Sequence, residues 1–159
     1  MYKRQIIGWS LGGIYARQLA KQDPSIIRQV IVMGSPVKGV ILSNNATWMY
    51  DLLKKSKLVA GDVDQKMLDD IPVPAPVPTT AIYTKEDGVV PWELCLEEED
   101  ESHQNVQVRG SHLGLGVNPL VLQIIADRLR LDKNTWSYFE TSNIVEDLLV
   151  KANAYQTET

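Results

Sequence analysis

The chain has 159 residues, of which 44% are hydrophobic and 23% charged, with a formal net charge of -4. That composition excludes disordered and fibrous classes and suffices for one domain with a packed core; the mildly acidic balance argues against nucleic acid as a general partner, because phosphate binding needs a basic surface. The single cysteine, Cys95, excludes an internal disulfide, no run reaches the roughly 18 apolar residues of a membrane helix, and no signal peptide is legible at the start, which together point to the cytoplasm.

Strand and helix signals alternate along the chain, which predicts an α/β fold: a parallel sheet with flanking helices. Arg4 to Trp9 reads as a short strand. Leu11 to Gln22 reads as a helix with Ile14, Ala16 or Arg17 and Leu19 near one face, stopped by Asp23-Pro24. Arg28 to Gly34 is a compact apolar strand that ends in the turn signal Gly34-Ser35-Pro36. The pattern then changes. Ala46 to Lys57 is an amphipathic helix with Trp48, Met49, Leu52 and Leu53 on its apolar side, and Asp62 to Ile71 suggests a shorter one. Ile71 to Pro78 carries proline at alternate positions, which blocks helix and weakens a sheet interior, so it reads as a stiff extended connector.

Thr79 to Thr84 is a strand of β-branched and aromatic residues, and Pro91 opens a helix after the following turn. The acidic run Glu97 to Glu101 reads as a solvated helix end, and His103 beside it as a surface residue. Asn105 to Gly110 is the last strand. Asn118 caps an apolar helix through Leu129, with Pro119 at its first position. One more helical piece is expected at Ile144 to Ala152. Cys95 reads as a small buried hydrophobe.

The stretch Gly8-Trp9-Ser10-Leu11-Gly12-Gly13 sets a serine between glycines at a strand-to-helix junction. A serine hydroxyl is a poor nucleophile until a base takes its proton and donors hold the resulting oxyanion. A sharp turn lifts the side chain clear of the backbone, Gly8 and Gly12 are expected to keep that turn free of clashes, and the Leu11 N–H is a candidate oxyanion donor. A triad further needs an acid and a histidine at the ends of later strands. Asp87 follows one such strand and His112 the next. Ser10, Asp87 and His112 thus come in the chain order Ser, Asp, His, each at a strand end. Glu86 is an alternative acid, Asp87 could instead cap a helix, and His112 could be a structural loop residue. Trp9 could line an acyl pocket or pack against the neighbouring helix.

The segments "IIGWSLGG", "VPTTAIYTKEDGVVPW" and "GSHLGLGVNP" resemble the C-terminal half of α/β-hydrolase-fold proteins, most of all bacterial esterase/lipase-like hydrolases. The resemblance covers Gln5 to Leu129. It implies a hydrolase core over residues 1–131 that is incomplete at its N-terminus, a small helical cap insertion at about 37–78, and a C-terminal extension at 132–159. It matches Ser10, Asp87 and His112 to nucleophile, acid and base, and sets Trp48, Met49 and Leu52 in the cap, where they would face substrate or pack the cap down. It implies cleavage of a small carboxylic ester, with an apolar acyl part, and requires no metal or organic cofactor. In the family further strands precede the elbow and a loop after the third supplies a second oxyanion donor; neither has a counterpart here. The first strand would therefore be an apolar edge open to self-association, and a non-catalytic, partner-binding remnant is an alternative reading. Acyl transfer by the same triad is another.

Overall fold

The computed structural model describes residues 3–38, 65–132 and 135–140. Trp48, Met49 and Leu52, the helix expected around them and the one expected at Ile144 to Ala152 lie outside the described residues.

The described chain runs β1 (Arg4–Trp9), α1 (Leu11–Gln22), β2 (Ile27–Met33), α2 (Gln65–Asp70), β3 (Thr79–Tyr83), a 3-10 turn at Trp92–Cys95, β4 (His103–Gln107), a second 3-10 turn at Leu113–Gly116, and α3 (Pro119–Arg130). The four strands form one sheet in the order β1-β2-β3-β4, every pair parallel. Trp9 pairs with Met33, Met33 with Ile82 and Ile82 with Val106, so the carboxyl ends of all four strands finish along one rim. Any residue just past a strand is thereby delivered to that rim.

Side-chain alternation along β2 explains why it lies inside. Val30 and Val32 pack with Ala16 and Ala20 of α1 and with Ala75, Val77 and Ala81. Ile31 and Met33 point the other way, to Ile82, Val108 and Leu115 and to Val121 and Ile124 of α3. The two helices therefore cover opposite faces. β1 and β4 are the edge strands among the described residues, and Ile7 on β1 is 42% exposed.

Helix α1 buries Gly13, Ile14, Ala16, Arg17 and Ala20, a stripe at helical spacing, whereas Leu19, expected on that face, is exposed. Its first turn presses on the sheet through glycine. A Cβ on Gly8 would stand 2.5 Å from Gly13 Cα, and one on Gly13 would stand 2.6 Å from Ser35 Cβ. A Cβ on Gly12 would meet nothing within 4 Å. The clearance expected of Gly8 and Gly12 is therefore supplied by Gly8 and Gly13.

Two further expectations are corrected by long-range contacts. The helix after Pro91 is a single 3-10 turn, and the acidic run beyond it is not simply solvated. Glu97 is buried: its Oε1 lies 2.7 Å from Arg17 Nε, with side-chain exposures of 2% and 1%, and its Oε2 accepts from Arg17 Nη2 at 3.0 Å. Arg17 also donates to the carbonyls of Val37 at 3.0 Å, Ile71 at 2.6 Å and Val73 at 3.1 Å. Burial pushes the guanidinium pKa down from its ordinary value, and Glu97 opposes that shift. His103, expected at the surface, is buried at the start of β4. Its Nε2 lies 3.1 Å from the Ala75 carbonyl and its Nδ1 2.8 Å from Asp100 Oδ1.

Other expectations are met locally. Asn118 Oδ1 accepts from the Leu120 N–H at 2.9 Å with Pro119 at the first helical position of α3. The proline-rich connector, expected to be extended, instead turns and bends at 71–73 and 76–77; Ile71 is buried, and Ala75 and Val77 pack with the core residues of β2. Residues 135–140 dock along β4, where Gln104 exchanges hydrogen bonds with the Phe139 backbone at 3.0 and 2.7 Å. Cys95 is buried, and burial pushes its thiol up to about 12.

Three outcomes are expected from these contacts. Gly12→Ala leaves the urea midpoint unchanged or raised, because alanine favours helix, while Gly8→Ala and Gly13→Ala each destabilise by about 1–3 kcal/mol or more. Glu97→Gln leaves a buried guanidinium without its counter-charge and lowers unfolding stability by about 3–5 kcal/mol in urea titration. The Asp100 carboxyl is held down to about 2, first by its hydrogen bond to His103 and then by the Ser102 amide. A carboxyl lowered on folding contributes stability that is complete above its unfolded value of about 4 and is lost as pH falls towards about 2. Asp100→Asn should therefore flatten the stability profile between those two pH values.

Candidate active site

Four chain segments leave the carboxyl rim of the sheet, and three of them carry the side chains singled out by the sequence. Ser10 occupies the junction of β1 and α1 with φ 54° and ψ -124°, the only positive φ at a non-glycine residue among the described residues. Such a conformation costs on the order of 1–3 kcal/mol and persists only where surrounding contacts impose it. Here the Ser10 N–H donates to the Met33 carbonyl at 2.8 Å, and the Ser10 carbonyl accepts from Gly13 N–H at 3.1 Å. The turn is thus tied to β2 on one side and to α1 on the other. Leu11 opens α1, where a first-turn N–H has no acceptor within the helix.

The loop after β3 places Asp87. Its side chain is 1% exposed. Oδ1 accepts from the N–H groups of Val89 and Val90, both at 2.8 Å, which closes the turn around Gly88. Oδ2 lies 2.7 Å from His112 Nδ1. One oxygen therefore holds the loop and the other meets the ring. An ionised carboxylate only accepts, so Nδ1 is the donor in that contact, and in the neutral ring it is then Nε2 that carries the lone pair. Asp87 caps no helix, since the 3-10 turn that follows begins after Pro91.

The loop after β4 places His112, whose side chain is 7% exposed. The two loops are stitched together. Thr84 Oγ1 donates to the Gly110 carbonyl at 2.7 Å, and Gly110 N–H donates to Glu86 Oε2 at 3.1 Å. Glu86, the alternative acid, is thus engaged with backbone and the pairing with His112 falls to its neighbour. Beyond the ring, Leu115 is fully buried and anchors the 3-10 turn in the core beneath, and Asn118 Nδ2 holds the Arg109 carbonyl at 2.8 Å.

Trp9 brings the serine and histidine segments into one place. Its ring centroid lies 5.9 Å from that of His112, with the planes tilted by 32°. A Cβ on Gly116 would stand 3.4 Å from the same indole. The ring thus faces the histidine loop and is 39% exposed. No hydrogen bond joins the Ser10 hydroxyl to His112 among the described residues; such contacts are often long in unliganded sites and tighten when substrate binds. Leu113, next to the histidine, and Val89, two residues past the aspartate, are exposed and add apolar surface to these loops. Neither they nor Gly34, which lies under the pair, stand out in the sequence: a lone apolar loop residue or turn glycine carries no spacing signal.

Among the described residues no group of three or more His, Cys, Asp or Glu side chains could hold a metal ion. None of the described helices is long and apolar enough to cross a membrane.

No family model matches the chain, and no curated protein matches it in sequence. Solved structures do match. The monoacylglycerol lipase of Paleococcus ferrophilus is similar to this chain at TM-score 0.52 and 13% identity, over 80% of this chain and 67% of its own length. The Mycobacterium tuberculosis protein Rv0554 matches at TM-score 0.55 and 13% identity, over 80% of this chain and 66% of its own. The serine hydrolase CarC, involved in carbazole degradation, matches at TM-score 0.50 and 17% identity, over 81% of this chain and 65% of its own. The chain thus spans about two thirds of the length of these structures. The parallel four-stranded sheet, the helices on its two faces and these structural matches together show that this chain has the α/β-hydrolase fold.

Proposed function

We propose that this chain carries the catalytic side of a serine hydrolase acting on a carboxylic ester, with Ser10 as nucleophile, His112 as base and Asp87 as its orienting acid. The observation that carries the reading is the buried 2.7 Å contact between Asp87 Oδ2 and His112 Nδ1, formed at the same rim as the one strained serine. A buried carboxylate with one oxygen fully used by backbone N–H groups has its other oxygen available to fix a ring tautomer. That tautomer aims an Nε2 lone pair outward, the requirement for a general base.

In the reaction, Ser10 Oγ attacks the carbonyl carbon while Nε2 takes its proton. The imidazolium so formed is stabilised by Asp87, which does not itself take up the proton. The Leu11 N–H, at the start of α1, donates to the oxyanion. Collapse of the tetrahedral species expels the alcohol, which receives the proton back from Nε2. Water then repeats the sequence on the acyl-enzyme. Trp9, against the His112 ring, and the exposed Leu113 and Val89 on the loops that carry His112 and Asp87 offer apolar surface, which suits an ester with an apolar acyl part. Two of the similar structures, a monoacylglycerol lipase and a serine hydrolase, belong to that class of reaction.

A fluorophosphonate probe tests the reading on the folded chain. Labelling is expected at Ser10, absent in Ser10→Ala and His112→Ala, and slower by about 10⁴-fold in Asp87→Asn. Glu86→Gln should slow it far less. A folded wild-type chain that takes no label at Ser10, or label that persists in His112→Ala, counts against the proposal.

A further inference from the structure

β2 is followed directly by a glycine whose backbone and surroundings both disfavour a side chain. Gly34 has φ +51°, in the left-handed region. Its N–H donates to the Ile82 carbonyl at 2.9 Å, so the residue is held in register with β3. A Cβ there would stand 2.9 Å from Leu115 Cδ1, 3.1 Å from His112 Nδ1 and 3.2 Å from Asp87 Oδ2. The last two atoms are the two ends of the 2.7 Å contact between ring and carboxylate. The preceding carbonyl, that of Met33, accepts the Ser10 N–H at 2.8 Å. One face of the glycine thus lies under the histidine-aspartate contact, while the peptide on its other side holds the serine turn.

We infer that Gly34 is a positioning residue for the Ser10–His112–Asp87 machinery: its missing side chain lets the ring and carboxylate close onto the end of β2, at a fixed offset from the serine turn tied to the same peptide. The inference rests on the proposed triad for its catalytic meaning and on the packing around Gly34 for its geometry. Leu115 Cδ1 is the end of a flexible side chain and yields readily. Asp87 and His112 yield less readily, because Asp87 Oδ1 is held by the Val89 and Val90 amides and His112 Nδ1 is bonded to Asp87 Oδ2. Any β-carbon at position 34 must therefore push the ring and the carboxylate away by a few tenths of an ångström. A histidine so displaced no longer presents Nε2 where the serine proton leaves, and misplacement on the scale of an ångström costs about 100-fold in rate.

Two substitutions separate this role from backbone strain. Alanine suffers both the left-handed backbone and the overlap. Asparagine tolerates the left-handed region better but carries the same Cβ and a larger side chain. If strain alone governs, Asn exceeds Ala; if the overlap governs, Asn is no better. The expected result is that Gly34→Ala folds, labels Ser10 several-fold more slowly with fluorophosphonate, shows a displaced pH midpoint for labelling, and loses or shifts the downfield Nδ1 proton resonance of His112. Gly34→Asn should recover none of these.

A stability cycle keeps the test decisive if Gly34→Ala is poorly folded. In the His112→Ala background the ring nitrogen is gone, so the drop in urea midpoint caused by Gly34→Ala should shrink markedly. Equal drops in both backgrounds, or failure of both variants to fold, would place the whole cost in the backbone and overturn the inference. So would wild-type labelling, pH midpoint and resonance in Gly34→Ala, or faster labelling in Asn than in Ala. Absence of wild-type labelling would remove the hydrolase reading alone; the resonance and the stability cycle would still decide whether Gly34 sets the ring against the carboxylate.

Discussion

The last peptide of β2, between Met33 and Gly34, is the constraint on which the candidate site depends. Its carbonyl accepts the N–H of Ser10 and holds a serine in a conformation that non-glycine residues avoid. Its glycine end lies beneath the contact between His112 and Asp87. Three side chains far apart in the sequence are therefore referenced to one rigid point. That point is rigid because β2 is buried on both faces and hydrogen-bonded to a strand on each side. A packed interior resists small displacements, so the positions of groups mounted on its edge are reproducible.

The same logic governs the loops. A loop on the surface is ordinarily mobile, and catalytic geometry on a loop needs external support. Here Thr84 and Glu86 tie the segment after β3 to Gly110 in the segment after β4, while Asn118 ties that segment to the start of α3. The Asp87 carboxylate closes its own turn with one oxygen before meeting the ring with the other. The candidate site on this rim is thus mounted on short loops whose polar groups are matched locally, over a core that contributes shape.

Stability at the opposite side of α1 follows a different rule. Arg17 gathers three carbonyls and the Glu97 carboxylate in a place almost free of water. Desolvating a guanidinium is costly, and only a full set of acceptors offsets it. The reward is specificity: Val37, Ile71, Val73 and Glu97 all come to one side chain, which favours a single arrangement of the segments that carry them.

Much of this arrangement could be read from the chain itself. Runs of β-branched and apolar residues bounded by Gly, Pro and Asp mark β1 to β3 within a residue or so, and Asn118-Pro119 marks the start of α3, because those signals are local and act through φ, ψ and side-chain periodicity. The serine between glycines, and an acid and a histidine each following a strand, are likewise local patterns. What depends on distant partners was not legible. Glu97 and His103 look like solvated residues in an acidic run until Arg17 and Ala75 arrive from 80 and 28 residues away. Gly12 and Gly13 are indistinguishable in sequence, and only the approach of Ser35 shows which one the packing needs. Glu86 and Asp87 are adjacent carboxylates, and the crossing of two loops decides which of them faces the ring. Local conformation is written in neighbouring residues, whereas the choice of partner is made by the sheet when it brings strand ends together.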